Sequence, residues 1–311
     1  MSGPKWGEGF LKSGLPLEHL TSVTFRDSGW QIDPHCEYLR RNRENQEAWF
    51  ELDLVGTCPR LNRSTELSFL VECKYHDLSR YWFFLPFDPP DDYRRCDGQV
   101  YNCGPYNTLT NPYENTSLGL APISAGGIVV AENGKKQRNA VQTAIQQLVN
   151  GFAPYSLSRM FRTNLEAKSG SDKLGREVYP TVTALIPMVV TNASIYRLRT
   201  DITNIEEIRK AKAPKDIADE LEWTWTFHKI PVRLGEQNLQ AINNHTKEQG
   251  RLIYSLPNVE RGMWEFLSRP NWIAIVNVKA LSKVLATFEG SFSKLETIKI
   301  EEIVPARVRT S

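Results

Sequence analysis

The chain has 311 residues, 41% hydrophobic and 24% charged, a balance ordinary for a folded soluble protein. No apolar run approaches the ~20 residues needed to span a bilayer, and the opening Met1-Ser-Gly-Pro-Lys-Trp-Gly-Glu8 lacks the apolar core of a secretory signal. A net charge of +2 neither announces nor excludes a nucleic-acid binder.

The five cysteines are an odd count without metal-like spacing and read as reduced thiols of a cytoplasmic protein. The Asn-x-Ser/Thr triplets at Asn62, Asn115, Asn192 and Asn244 then carry no meaning for glycosylation. No repeat period of 20–50 residues is visible. Gly126-Gly127 and Gly134-Lys135 do not have the spacing of a phosphate-binding loop.

In chain order, residues 15–28 predict a helix. Pro16 suits its start, Gly29 its stop, and Leu17, Leu20, Val23 (or Thr24) and Phe25 form an apolar stripe at helical spacing. Glu18 lies in its first turn, where an acid complements the helix dipole. Trp30 to Leu39 reads as a strand, followed by strands at 47–56 and 67–75.

The two later strands carry charge in an apolar setting. Glu72 and Lys74 point the same way, because side chains alternate along a strand. On the earlier strand Glu51 and Asp53 share one face, and Phe50, Leu52 and Leu54 the other. If these strands are neighbours, Asp53, Glu72 and Lys74 converge on one patch. Two carboxylates are hard-oxygen ligands suited to Mg²⁺. A lysine beside them can orient water and stabilise charge on a phosphoryl oxygen. A second acid-x-lysine triplet, Glu166-Ala167-Lys168, sits in a polar stretch without strand pattern and reads as solvated surface or loop.

Residues 79–134 read as a long insertion over the site or a partner-binding element, since a structureless loop of that length needs a reason. Its Tyr93, Tyr101, Tyr106 and Tyr113, beside Arg94 and Arg95, could stack on bases or bury against the domain. Lys135 to Phe152 predicts a helix with Val141, Ala144, Ile145, Leu148 and Phe152 on its apolar face and Gly151 at its end. Gln142 falls at the edge of that face, while Gln146 and Gln147 lie further round towards solvent, with Gln147 as the fallback to Gln142. Beyond Arg199, helices are expected at 204–212 and 279–288, and strands at 222–233 and 271–278. Residues 200–311 therefore complete the same sheet, and 1–311 form a single domain.

The Asp53 and Glu72-Cys73-Lys74 set resembles the PD-(D/E)xK nuclease superfamily, in which an Asp at the end of one strand precedes (D/E)-x-K on the next. The residue before Asp53 is Leu52, where the family often has Pro. The strand pair at 180–198 is similar to that of the Mrr-like members. The resemblance covers roughly residues 14–200.

It implies a restriction-endonuclease-like α/β fold, a mixed central β-sheet flanked by helices, and a Mg²⁺-dependent (or Mn²⁺-dependent) DNA endonuclease in bacterial defence or restriction. Asp53, Glu72 and the Cys73 carbonyl would hold the metal, Lys74 would position water or neutralise developing charge, and Glu18 and Gln142 would support them. The Cys73 side chain, pointing away from Glu72 and Lys74, is expected in the core. Arg40, Arg41 and Arg43, and Lys135, Lys136 and Arg138, are the candidate DNA phosphate contacts. No helicase or sensor motif is visible, so a partner subunit would select the target. The rival expectation is a non-catalytic nucleic-acid-binding or assembly subunit on the same fold, against which the intact Asp53/Glu72/Lys74 set argues.

Overall fold

The computed structural model describes residues 5–41, 47–58, 65–76, 80–88, 101–102, 121–134, 136–137, 140–169, 182–228 and 272–293. The chain opens with helices α1 (Lys5–Lys12) and α2 (Leu15–Asp27), followed by strands β1 (Gln31–Arg41), β2 (Glu47–Cys58), β3 (Thr65–Lys74) and β4 (Arg80–Pro86). Next come β5 (Tyr101–Asn102), β6 (Ile123–Ala131), β7 (Lys136–Gln137) and the long helix α3 (Ala140–Ser169). The remainder comprises β8 (Val182–Thr191), β9 (Ser194–Leu198), α4 (Ile205–Lys210), β10 (Ala218–Leu221), β11 (Trp223–Phe227), β12 (Trp272–Asn277) and α5 (Leu281–Ser293).

Among the described residues, ten strands form one mixed sheet in the order β1-β2-β3-β8-β12-β11-β6-β4-β9-β10, and the two-residue strands β5 and β7 pair beside β8 and β6. β1, β2 and β3 are antiparallel neighbours. β3, β8 and β12 run parallel. Parallel strands are covered on both faces and so read as nearly continuous apolar runs. Accordingly Leu185 to Val190, Pro187 apart, and Trp272 to Val276 are all fully buried hydrophobics.

Two hydrophobic clusters cover the two faces. Leu54, Phe69, Val71 and Cys73 pack with Leu17 and Phe25 of α2 and Leu281, Leu285 and Phe288 of α5. Leu52, Val55, Leu70, Leu185 and Val189 pack with Val141, Ile145, Leu148 and Phe152 of α3. Trp82 and Phe84 of β4, Val129 of β6 and Ile195 of β9 join this second cluster, so both halves of the sheet pack around α3.

The elements depart from the sequence-based expectations in several ways. The stripe of α2 is Leu17, Thr21 and Phe25, while Leu20 is exposed. The core needs only a narrow i, i+4 row there, and a buried threonine escapes an apolar-stripe reading. Helix α3 begins at Ala140, after β7, and runs through Gly151 and Pro154 to Ser169. Gly151 does not end it because it is a packing residue: an added Cβ would lie 2.7 Å from Leu52 Cδ2. Glu166-Ala167-Lys168 is consequently helical. The stretch 79–134 is no simple insertion, since its ends are β4 and β6, neighbours within the main sheet. The remainder of that stretch, including Tyr93, Tyr106 and Tyr113, lies largely outside the described residues.

Candidate active site

Asp53 sits where β2 parts from β3. Their pairing runs from Cys58↔Leu67 to Leu54↔Val71 and stops there. On the other side, His35 and Asp53 drop out of the β1–β2 ladder, between Pro34↔Leu54 and Cys36↔Leu52. His35 has φ 54°, in the left-handed region that non-glycine residues rarely occupy. This irregularity turns the strand. Leu52 belongs with Val55 to the α3-side cluster and Leu54 to the opposite one, so Leu52 and Leu54 do not share a face as strict alternation predicts. Local ladder breaks of this kind re-aim a side chain.

The re-aimed side chain is Asp53, whose Oδ2 accepts the backbone N–H of Cys73 at 2.5 Å. Its neighbours on β3 are Glu72, only 1% exposed, and Lys74, whose ammonium pairs with Glu72 Oε1. The structure thus brings Asp53, Glu72 and Lys74 to one patch between β2 and β3. Cys73 points to the opposite face, buried, with its thiol 3.6 Å from Thr21 Oγ1 of α2.

Lys74 ends β3, and its backbone is held in place by β8. Thr191 Oγ1 donates to the Lys74 carbonyl at 2.9 Å. Asn192 accepts the His76 N–H at 2.7 Å and donates to the His76 carbonyl at 2.6 Å. These two residues fix the backbone just past the end of β3. They were not anticipated; the signal was a Thr-Asn pair closing an otherwise apolar strand.

Burial and the neighbouring Asp53 push the Glu72 carboxyl up, to about 8, with Lys74 opposing. Asp53 is also raised by burial, against the Cys73 amide and Lys74. Glu18 is half-buried in the first turn of α2 and is raised by burial and by Asp53, which places it in the same electrostatic cluster. Glu51 and His35, paired with each other, act on both Asp53 and Glu18.

Glu72 Oε2 is buried without a hydrogen-bond partner. A buried carboxylate oxygen of this kind is costly unless something satisfies it. Together with Asp53 it offers two hard oxygens, a donor set that fits Mg²⁺ or Mn²⁺. Among the described residues no three His, Cys, Asp or Glu side chains form a metal-holding group. A cation here would therefore retain several waters, as Mg²⁺ commonly does.

Gln142 is exposed, as is Gln146, whereas Gln147 is half-buried. Gln142 thus does not lie closer to the packed face than Gln147. The two flank the apolar stripe at similar angles, and Gln142, in the first turn, has less around it. Arg40 and Arg41 are the last residues of β1, and Lys136 is on β7. Arg43, Lys135 and Arg138 lie outside the described residues. No described helix is long and apolar enough to cross a membrane. Comparison of the chain with protein-family models, curated proteins and solved structures returned no match.

Proposed function

We propose that the protein is a metal-dependent nuclease of the restriction-endonuclease-like type, hydrolysing DNA phosphodiesters. One observation carries the reading: Asp53, Glu72 and Lys74 meet where two adjacent strands part, with a buried Glu72 oxygen unsatisfied. An aspartate and an acid-x-lysine on neighbouring strands is the PD-(D/E)xK arrangement. The raised Glu72 and Asp53 carboxyls support it, since such perturbations concentrate at functional sites.

Asp53 and Glu72 would hold Mg²⁺ or Mn²⁺, with the Cys73 carbonyl as a further ligand. The bound cation would supply Lewis-acid stabilisation of charge on the phosphoryl oxygens. The chain's own groups do the rest. Lys74 orients the attacking water and offsets charge that develops in the transition state. Glu72 holds the Lys74 ammonium in place, and Thr191 holds its backbone. Glu18 adds negative charge beside Asp53. The basic residues at the end of β1 and around β7 contact phosphates, and a partner subunit selects the target in bacterial defence.

Incubation of the purified protein with plasmid, linear duplex and RNA, with Mg²⁺ or with EDTA, tests the reading. Mg²⁺-dependent cleavage of the DNAs is expected. Binding without cleavage of any of them in Mg²⁺ or Mn²⁺ replaces it with the non-catalytic alternative.

A further inference from the structure

The nuclease reading leaves one part of the cluster unused. His35 Nδ1 pairs with Glu51 Oε1, and both side chains are well exposed, 60% and 47%. His35 occupies a left-handed conformation at the point where β1 and β2 lose pairing. Such strain persists only where the surroundings enforce it, and it clusters at functional positions. His35 also acts electrostatically on Asp53 and on Glu18, so it borders the same patch.

Its location is specific. β1, β2 and β3 are consecutive in the sheet, and neighbouring strands lie about 4.8 Å apart. His35 on β1 and Lys74 on β3 therefore flank Asp53 on β2 from opposite sides. An in-line displacement at phosphorus places the attacking and leaving oxygens on opposite sides too. A carboxylate on Nδ1 fixes the orientation of an imidazole. Among the described residues the Nε2 edge of His35 meets no partner, so it is available to donate. The charged groups around it are Glu51 and Asp53 of β2, Glu18 of α2 and, across the patch, Glu72 and Lys74 of β3.

Resting on the nuclease reading, we infer that His35, oriented by Glu51, is a catalytic residue that protonates the leaving oxygen of the phosphodiester. Water adds to phosphorus from the Lys74 side and gives a proton to solvent. The bond from phosphorus to the leaving oxygen breaks, and that oxygen takes the Nε2 proton of His35. The products are an alcohol and a phosphomonoester, and His35 is reprotonated from solvent.

The test compares two duplexes of one sequence at a cleavage position mapped with the wild-type protein. One is ordinary DNA; the other has bridging sulfur in place of the leaving oxygen, so that a thiolate departs without needing a proton. His35→Asn suits the left-handed backbone better than most replacements, since asparagine is enriched there. It is expected to slow cleavage of ordinary DNA about 10²-fold, the low end for loss of a general acid, and to leave the sulfur substrate within a few-fold of wild type. Glu51→Gln, which keeps a hydrogen-bond partner for the imidazole, should show the same selectivity with a smaller loss. Equal losses on both substrates, or wild-type rates on both, overturn the inference while the nuclease reading stands. Failure of the wild-type protein to cut either duplex overturns both.

Discussion

At the residue scale, the account rests on how burial treats three charged side chains. Glu72 is nearly inaccessible and bonded through only one oxygen, and its carboxyl is pushed up to about 8. A folded-state pKa above the unfolded value means that the folded protein holds the proton more tightly. Its stabilising contribution is complete below the ordinary carboxylate range and is lost as pH rises through about 8. Asp53 and Glu18 shift in the same direction. Urea unfolding in EDTA should therefore show stability falling as pH is raised from 5 to 8, by up to about 1.4 kcal/mol per pH unit from Glu72. Glu72→Gln should flatten that slope, and an unchanged slope would contradict the assignment. Asp53→Ala removes one of the two carboxylates assigned to the metal, so cleavage should be lost and partly recovered at high Mg²⁺ or Mn²⁺. Recovery is read by titrating each metal against the initial rate; a variant as active as wild type at low metal would remove Asp53 from the ligand set.

At the scale of elements, the site depends on how closely α2 seats on β2. A Cβ at Gly56 would lie 2.3 Å from Phe25 Cε1, so helix and strand are closer than any larger residue allows. Gly56→Ala should destabilise by about 1–3 kcal/mol through overpacking, measured as a shift in the urea midpoint, and should depress activity because α2 carries Glu18. A neutral effect would mean that the contact is soft.

The strands and helices were largely legible in the residues. The parallel strands at 182–191 and 272–277 are continuous apolar runs, and Gly29, at φ 84°, follows the end of α2 as its stop. What escaped was set by tertiary contact. Gly151 resembles a helix end but lies within α3 against Leu52. Thr21 is buried where Leu20 was expected. The sequence between 79 and 134 hides β4, β5 and β6 behind a composition rich in Pro, Asn and Gly. The Glu72/Lys74 pair was readable from strand alternation, and the nearness of Asp53 from the adjacency of β2 and β3; the ladder break that aims Asp53 at them was not. The roles of His35 and Thr191 were not readable either, since they depend on that irregular ladder and on the backbone at the end of β3.

At the scale of the whole molecule, the candidate site lies on the β1–β2–β3 margin of the sheet, β1 being the end strand among the described residues. The net charge is only +2, so DNA would be held by local basic clusters, with affinity that falls steeply as salt rises. The claim on which the rest depends is that Lys74 acts on the reaction rather than on folding or binding. The most direct measurement is single-turnover cleavage and DNA binding by Lys74→Ala in Mg²⁺, beside the wild-type protein. Removing one group that stabilises transition-state charge typically costs ~10²-fold or more in rate. The account predicts a loss of at least that size, near-wild-type binding, and no rescue by added Mg²⁺ or Mn²⁺. Cleavage by Lys74→Ala at the wild-type rate would contradict it.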